Sequence, residues 1–514
     1  MKATRRRAVA TLAAAALATP LLLASASPSA AHRDDAGQQA TKLAKKLVSK
    51  ASVKDAHKHL KKFQQIADTA GGNRAAGTLG YDASAAYVYQ QLKKFGYDVR
   101  YEPFTFVYTE TLAEKLSVVS PGARDIPITA LTYTKSTPVG GVKADLATVP
   151  VDASTGCEPA DYASGTFTGK IALIKRGGCT FAQKQATAAE AGAIGAIIYN
   201  NAAGSMGGTL SDVASGKIPT GGISQAAGEE LVNEVAAGPV NVSFEIRQLL
   251  QNRTTNNVIA ETRHGNAANT VMLGSHLDSV AAGPGINDNG SGSAGLIEVA
   301  QELAKAEKRP ANKVRFAWWG AEENGLLGSK AYVAGLNDLA KKEIKLYLNF
   351  DMIASPNYGL FVYDGDNSDG VGAGPGPEGS AQLERDINEF LDDRDTPHEG
   401  TDFSGRSDYG PFIGVGIPAG GTFTGAEGIK SAQQAAKFGG TAGLAYDPNY
   451  HAKGDDINNI NLTAFKVNIG VIANAVGTYA HDLSSLRTPV NSVPTEPGTG
   501  SGGGLHEGHE DVIE

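Results

Sequence analysis

The chain predicts an α/β protein, a mixed central β-sheet flanked by helices and interrupted by an inserted β-rich domain. From about residue 249 to 485, short apolar runs alternate with segments of helical period, as in a sheet with helices packed on its faces. From about 126 to 248 the texture changes to short strands separated by Gly-rich turns. The length of 514 residues exceeds one ordinary hydrophobic core, so two or three folded units are expected. With 63 glycines and 19% charged residues, the composition is that of a loop-rich globular protein rather than a disordered one.

Residues 1–31 read as a signal peptide. Lys2, Arg5, Arg6 and Arg7 form a basic start, an Ala/Leu-rich stretch runs to about Ala24, and Ser29-Ala30-Ala31 offers a small-residue cleavage site. Thr4-Arg5-Arg6 is a weak match to a twin-arginine export signal. The apolar stretch is short for a span, and nothing downstream resembles a stop-transfer helix, so the mature protein is expected to be secreted, extracellular and free of the membrane. Loss of four positive charges moves the formal net charge from −8 to −12. A mildly acidic chain without a basic stripe argues against nucleic acid as a partner.

Residues 32–125 open with a Lys-rich helical stretch in which Leu43 and Leu47, then Leu60 and Phe63, fall at helical spacing. Its basic face is expected to be solvated. The segment GYDASAAYVYQQLKKF predicts a helix closed by Gly96, and DVRYEPFTF an alternating strand. Within 126–248, KADLATV, KIALIKRG and GAIGAIIYNN predict strands and FAQKQATAAEAGA a helix, with no cluster of acids, bases or ligands. Cys157 and Cys179, the only cysteines, predict one disulfide in an oxidising compartment, two buried thiols being the alternative. In 249–485, NNVIAETRHG and TVMLGSHL predict neighbouring strands, SAGLIEVAQELAKA a helix, and KVRFAWWG and IKLYLNFDM buried strands. The Pro/Gly-rich, acidic residues 486–514 predict a flexible tail.

Five potential metal ligands lie in this last domain: His276 in GSHLDS, Asp288 in INDNGSG, Glu323 in GAEENG, Asp351 in NFDM and His451 in DPNYHAKGD. Three of these motifs follow apolar runs, and so sit where strands end and loops begin, the usual site of chemistry in open α/β sheets. Two His and several carboxylates without Cys suit zinc with an exchangeable water better than a closed structural site. If HLD stays extended, Asp278 points the same way as His276 and can accept a hydrogen bond from the ring nitrogen that does not hold metal. A structural histidine is the plainer alternative. A carboxylate at Asp288 can bridge two cations, one on each oxygen. The neighbouring Gly290–Gly295 stretch formally matches GxGxxG but lacks the strand, turn and acidic partner of a dinucleotide site.

Adjacent Glu322 and Glu323 would repel each other without a positive charge nearby, and one can bind metal while the other accepts a proton. An exposed acidic helix start is the alternative. Asp351 ends a buried apolar run, and an unpaired buried charge costs several kcal/mol, so a cation or strong donors are expected beside it. Tyr450, next to His451, could donate to a developing oxyanion.

GSHLDS, NDNGSG, GAEENGLLGS, LNFDMI, SGRSDYGPF, GGTFTGAE and YDPNYHAKGDDINN resemble, in order, the motifs of the secreted bacterial di-zinc leucine aminopeptidases, relatives of aminopeptidase Y. The resemblance runs from about residue 55 to 485 and implies a zinc exopeptidase fold. TGCEPADY, GKIALIKRGGCTF and AGAIGAIIYNN resemble the protease-associated domain that interrupts several such enzymes. The resemblance implies two zinc ions per chain, one held by His276 and Asp351, one by Glu323 and His451, with Asp288 bridging. It implies Glu322 as general base, Asp278 as a supporting partner of the ligands, Tyr450 at the oxyanion and Arg406 near the substrate. Close relatives carry Cys on both sides of the Tyr-His pair, where this chain has Asn449 and Gly454, so the loop carrying His451 is not stapled. The expected activity is hydrolysis of large apolar amino-terminal residues such as Leu from peptides or proteins, by a monomer. The alternatives are a carboxypeptidase of the same family, for which Arg406 would bind the carboxylate, a single-zinc acyltransferase of the glutaminyl cyclase kind, and a non-catalytic receptor-like binding protein.

Overall fold

Four parallel strands form the centre of the molecule, in the spatial order Asn312–Trp319, Asn266–His276, Ile344–Phe350, Ala419–Phe423. Strand Asn241–Glu261 adds antiparallel to Asn312–Trp319 at one side. Phe361–Tyr363 adds antiparallel at the other, followed by Glu399–Thr401. The sheet is therefore mixed and flanked by helices. This computed structural model describes residues 28–490 apart from 203 and 205. The expected signal peptide, up to residue 27, and the expected tail from 491 onwards lie outside the described residues. Ser29-Ala30-Ala31 lie at the start of the helix Pro28–Lys50.

One expected pairing is corrected. The strands containing NNVIAE and TVMLGSH are not neighbours, because Asn312–Trp319 lies between them, with Phe316 opposite Ala260 on one side and Leu273 on the other. Val314, Phe316, Ala317, Trp318 and Trp319 are all fully buried, and a strand apolar on both faces belongs in the interior of a sheet. The helix Gly292–Ala306 makes the crossover that brings it there.

Side chains alternate between two cores. Leu273, Phe316, Trp318, Leu348 and Phe350 face the helices Val53–Thr69, Leu79–Phe95, Gly292–Ala306 and Leu462–Tyr479. Met272, Ala317, Trp319 and Tyr347 face Tyr332, Tyr409 and Phe412 on the opposite side. Leu43, Leu47, Leu60 and Phe63 are all buried, as their spacing requires. The first helix lies so close to Leu462–Tyr479 that a Cβ on Gly477 would stand 2.3 Å from the Ala44 Cα. Helix Leu79–Phe95 is capped by the Thr78 side chain and ends at Gly96, whose φ of 98° is the left-handed conformation a glycine adopts readily.

The strand expected near residue 98 runs much further, from Asp98 to Ser120. It pairs antiparallel with Asn241–Glu261 from Asp98 opposite Glu261 to Ser120 opposite Asn241. This long ribbon carries the inserted segment. There, Val142–Thr148, Ile171–Lys175, Gly195–Tyr199 and Thr220–Ile223 form a parallel sheet. It is covered by the expected helix Phe181–Glu190 and by a second, Gln225–Ala237, that the sequence pattern did not single out. Val142–Thr148 also pairs with Asn241–Glu261, so one strand joins both sheets. Cys157 and Cys179 form a disulfide. Among the described residues, no helix is long and apolar enough to cross a membrane.

Candidate active site

The parallel register brings three motifs to one edge. His276 is the last residue of its strand and lies level with Trp319, so the Glu322–Glu323 turn emerges beside it. Asp351 directly follows Phe350 on the other neighbouring strand. Asp288 lies in an irregular helical turn, Ile286–Ser291, ahead of the crossover helix. Asn289 ties this turn to the Asp351 strand end, donating to Phe350 O at 3.0 Å and accepting from Met352 N at 3.2 Å. His451 arrives from a loop far along the chain.

The five candidate ligands converge. His276 Nε2 lies 3.1 Å from Asp288 Oδ1 and 3.2 Å from Asp351 Oδ1. His451 Nε2 lies 3.3 Å from Asp288 Oδ2 and 3.0 Å from Glu323 Oε2. The two oxygens of Asp288 thus face different histidines. Glu322 Oε2 stands further off, 3.9 Å from His276 Nε2. The ligand atoms of His276, Asp288 and Glu323 lie within 4.8 Å of one another, as do those of His276, Glu322 and Asp351.

Asp278 takes a place different from the one expected of an extended HLD. Its carboxylate is 3.7 Å from His276 Nδ1, beyond hydrogen-bond reach. The ring nitrogen lies 3.1 Å from the Asp278 carbonyl oxygen instead. The carboxylate accepts the backbone N–H groups of Glu322 at 3.2 Å and Glu323 at 3.3 Å, because the adjacent strand delivers that turn directly onto it. Asp278 therefore sets the position of both glutamates.

The charge balance calls for cations. Carboxylates of Asp278, Asp288, Glu322, Glu323, Asp351 and Asp408 are all at least nine-tenths buried or close to it. Burial disfavours a charged imidazole, yet Glu323 and Asp288 outweigh it at His451, pushing its pKa up to about 11, and Asp351 and Glu322 hold that of His276 well above the ordinary range. Burial raises the Glu322 carboxyl well above its usual range, helped by the charges of Asp408, Glu323 and Asp351. Burial likewise raises that of Glu323. Asp288 moves the other way: burial opposes ionisation, but contacts with both histidines overcome it. So many buried acids around two imidazoles would each cost several kcal/mol without a compensating charge. Glu323 Oε1, buried and without a hydrogen-bond partner, is the kind of oxygen a cation takes up. The His and carboxylate donor set fits zinc.

At the mouth, the Tyr450 ring stacks on His451, centroids 3.8 Å apart. Arg406 donates to the Tyr450 hydroxyl at 3.2 Å and to Glu427 at 2.8 Å. Burial, with the charge of Asp288, holds the Tyr450 pKa well above its usual value, so the phenol keeps a proton to donate.

Several neighbours of the site were not singled out residue by residue from the sequence, although Ser407 and Asp408 fall within the motif SGRSDYGPF. Arg74, fully buried, donates to the carbonyls of Leu277, Pro284 and Gly285 on the two loops that carry His276 and Asp288. Asp408 is wholly buried, and its charge acts on Glu322. Ser407 donates to Asp351 Oδ2 at 2.5 Å and accepts from Asn349. For Arg74, a charged residue among glycines and alanines was the one available clue.

Residues 257–476 match the model of Peptidase family M28, and residues 142–231 that of the PA domain. The chain is 46% identical over 456 residues to leucine aminopeptidase 2 of Arthroderma otae, covering 88% of each protein. The chain belongs to peptidase family M28. It stands among the leucine aminopeptidase-like members of that family and is a peptidase. It is also 44% identical over 451 residues to the probable lipoprotein aminopeptidase LpqL of Mycobacterium tuberculosis, covering 87% of this chain and 89% of that one. Among solved structures, the aminopeptidase from Aneurinibacillus sp. strain AM-1 superposes with a TM-score of 0.66 at 28% identity, over 85% of this chain and 95% of that one. BSAP, a zinc aminopeptidase from Bacillus subtilis, superposes with a TM-score of 0.61 at 26% identity, over 83% and 94%.

Proposed function

We propose that this M28 member is a secreted aminopeptidase that uses two zinc ions to remove large apolar amino-terminal residues from peptides. The observation that carries the reading is the split of Asp288, one oxygen towards His276 and the other towards His451. In this reading His276 and Asp351 hold one zinc, Glu323 and His451 the other, and Asp288 both. Zinc at these positions supplies Lewis acidity towards a water and the scissile carbonyl. Glu322, anchored through Asp278 and set back from the ligands, accepts the proton of the attacking water and passes it to the departing amine. Its raised pKa suits a group that must both take and release a proton. Tyr450 donates to the developing oxyanion, and Arg406 fixes the phenol. The acids of Glu322 and Asp351 favour a substrate with a free, cationic α-amine. The leucine specificity named for the fungal relative supports an apolar side chain at that position.

A carboxypeptidase would need a free cation for the substrate carboxylate, and Arg406 is already engaged with Glu427 and Tyr450. A receptor-like protein would be expected to lack ligands, and a single-zinc acyltransferase needs fewer than the five that converge here. The disulfide and the amino-terminal apolar stretch support secretion. The test is metal analysis together with a panel of dipeptides blocked at either end. Two zincs per chain, loss of activity on chelation, recovery with zinc and rejection of amino-blocked substrates are expected. Activity that survives complete metal removal refutes the reading, and preference for amino-blocked substrates refutes the aminopeptidase assignment.

A further inference from the structure

We infer that Asp455, working with Asp447, Asn459 and Asn449, is a non-covalent staple that positions His451 against Asp288 and so sets affinity at the more exposed zinc position. The inference rests on the two-zinc reading above. His276 is 1% exposed, whereas His451 is 31% exposed and sits in a loop rather than at a strand end. Its φ of 55° is left-handed, a conformation that a residue with a side chain keeps only where its surroundings over-determine it.

Those surroundings join the loop to the Asp288 turn. Asp455, four residues after His451, accepts the N–H of Asn287 at 2.8 Å and of Asp288 at 2.9 Å on its two carboxylate oxygens. Its own carbonyl accepts from Ile286 N at 3.1 Å. Three successive amides of the turn therefore end on one residue. On the other side of His451, Asp447 accepts from Asn449 N at 2.9 Å and from the Asn287 side chain at 2.7 Å. Asn459 closes the circuit, donating to Asp447 at 2.9 Å and Asp455 at 3.1 Å and accepting from the Asn449 side chain at 2.8 Å. Asn287, Asp447, Asp455 and Asn459 are all at most 4% exposed, where satisfied polar networks hold one geometry. Arg74 takes the carbonyls of Pro284 and Gly285 on the opposite flank. The Asp288 turn thus has its donors on Asp455 and its acceptors on Arg74, and any shift of the His451 loop is transmitted to it. None of these network residues needs to touch substrate, so Asp455 is a positioning residue.

The geometry also supplies a covalent mimic. A Cβ on Gly454 would lie 3.5 Å from the Asn449 Cβ, within the range that a disulfide spans.

The test titrates zinc per chain in chelator-buffered zinc for the full mature protein, with kcat and KM measured alongside. Wild type is expected to hold two zincs. Asp455→Asn keeps the shape but turns one acceptor into a donor facing an N–H. It should weaken the zinc at His451 by about 10–100-fold, and the zinc at His276 less, because His276 and Asp351 stay fixed at their strand ends. Asp456→Asn, one residue on, should follow wild type. Asn449→Ala severs only the outer contact and should weaken the same zinc by about tenfold or less, and Asn449→Cys with Gly454→Cys should restore it. Asp455→Asn holding both zincs with wild-type affinity overturns the inference and leaves the two-zinc reading standing. Should Asp455→Asn not fold, the inference falls if Asn449→Ala binds zinc as wild type does or the double-cysteine variant binds no tighter than Asn449→Ala. A wild-type protein that holds fewer than two zincs overturns both.

Discussion

Replacing Glu322 by Gln separates proton transfer from metal binding. Glu322 Oε2 is 3.9 Å from His276 Nε2, while Asp288 and Asp351 approach that nitrogen to 3.1 and 3.2 Å. The substitution therefore removes a base and leaves the nearer ligands in place. Glutamine preserves the shape, and the turn stays anchored because Asp278 holds it through backbone amides at 3.2 and 3.3 Å. Burial and three neighbouring acids make the wild-type carboxylate bind a proton more tightly than an ordinary one, whereas an amide binds none. A positioned base contributes about 10²–10⁴-fold. At about 1.4 kcal/mol per decade, that is about 3–5 kcal/mol of barrier. We expect kcat on a chromogenic leucyl substrate to fall at least about hundredfold, KM to change little, and zinc per chain to stay at the wild-type value. Loss of like-charge repulsion should also raise the Tm of the metal-free protein. Turnover within tenfold of wild type at full zinc content refutes the base assignment, and loss of a zinc would make Glu322 a ligand instead.

Three further perturbations test other parts of the argument. Tyr450→Phe removes the donor but keeps the ring on His451, and should lower kcat by about hundredfold with little change in KM; an unchanged kcat removes Tyr450 from the reaction. Glu298, wholly buried, accepts from Ser52 N at 2.8 Å, and burial pushes its carboxyl up to about 7 from the ordinary 4.5. The folded state then binds this proton more tightly than the unfolded state, so the destabilising contribution of this one group is absent below pH 4.5, grows as pH rises to about 7 and stays constant above it. Glu298→Gln should raise Tm at pH 8 by about 2–5 °C and leave it unchanged at pH 4; no gain at pH 8 refutes the burial argument. Replacing Cys157 and Cys179 together by Ser releases a loop with a sequence separation of 22 and should cost about 3 kcal/mol in denaturant titration of the inserted segment. An unchanged midpoint would show that the bridge does not stabilise that segment.

Much of the peptidase sheet was legible because its strands are apolar runs and its helices carry a 3.6-residue period. Leu43, Leu47, Leu60 and Phe63 read as buried and are. The pairing order was less legible: proximity in sequence suggested that residues 256–261 and 266–276 pair, whereas burial on both faces drew Asn312–Trp319 between them. The full reach of strand Asp98–Ser120 was also hidden, since a ribbon largely exposed on both faces has no clean alternation. At the site, motif order identified His276, Asp288, Glu323, Asp351 and His451 as candidates, and all five converge. The place of Asp278 differed, because its carboxylate is claimed by amides of a loop more than forty residues away.

By itself the sequence determined the donor chemistry: two imidazoles and several carboxylates, placed mainly where apolar strands give out, on a chain bearing an export-like start and one pair of cysteines. Those properties are local, written in residue type and in the few positions around each residue. The division of Asp288 between two histidines, the distance of Glu322 from the ligands, and the fastening of His451 through Asp455 and Asn287 were decided only by tertiary structure. They depend on strand register and on buried hydrogen bonds between segments up to about 170 residues apart. No local pattern encodes such a meeting, because the free energy that holds it comes from packing the whole sheet and its helices.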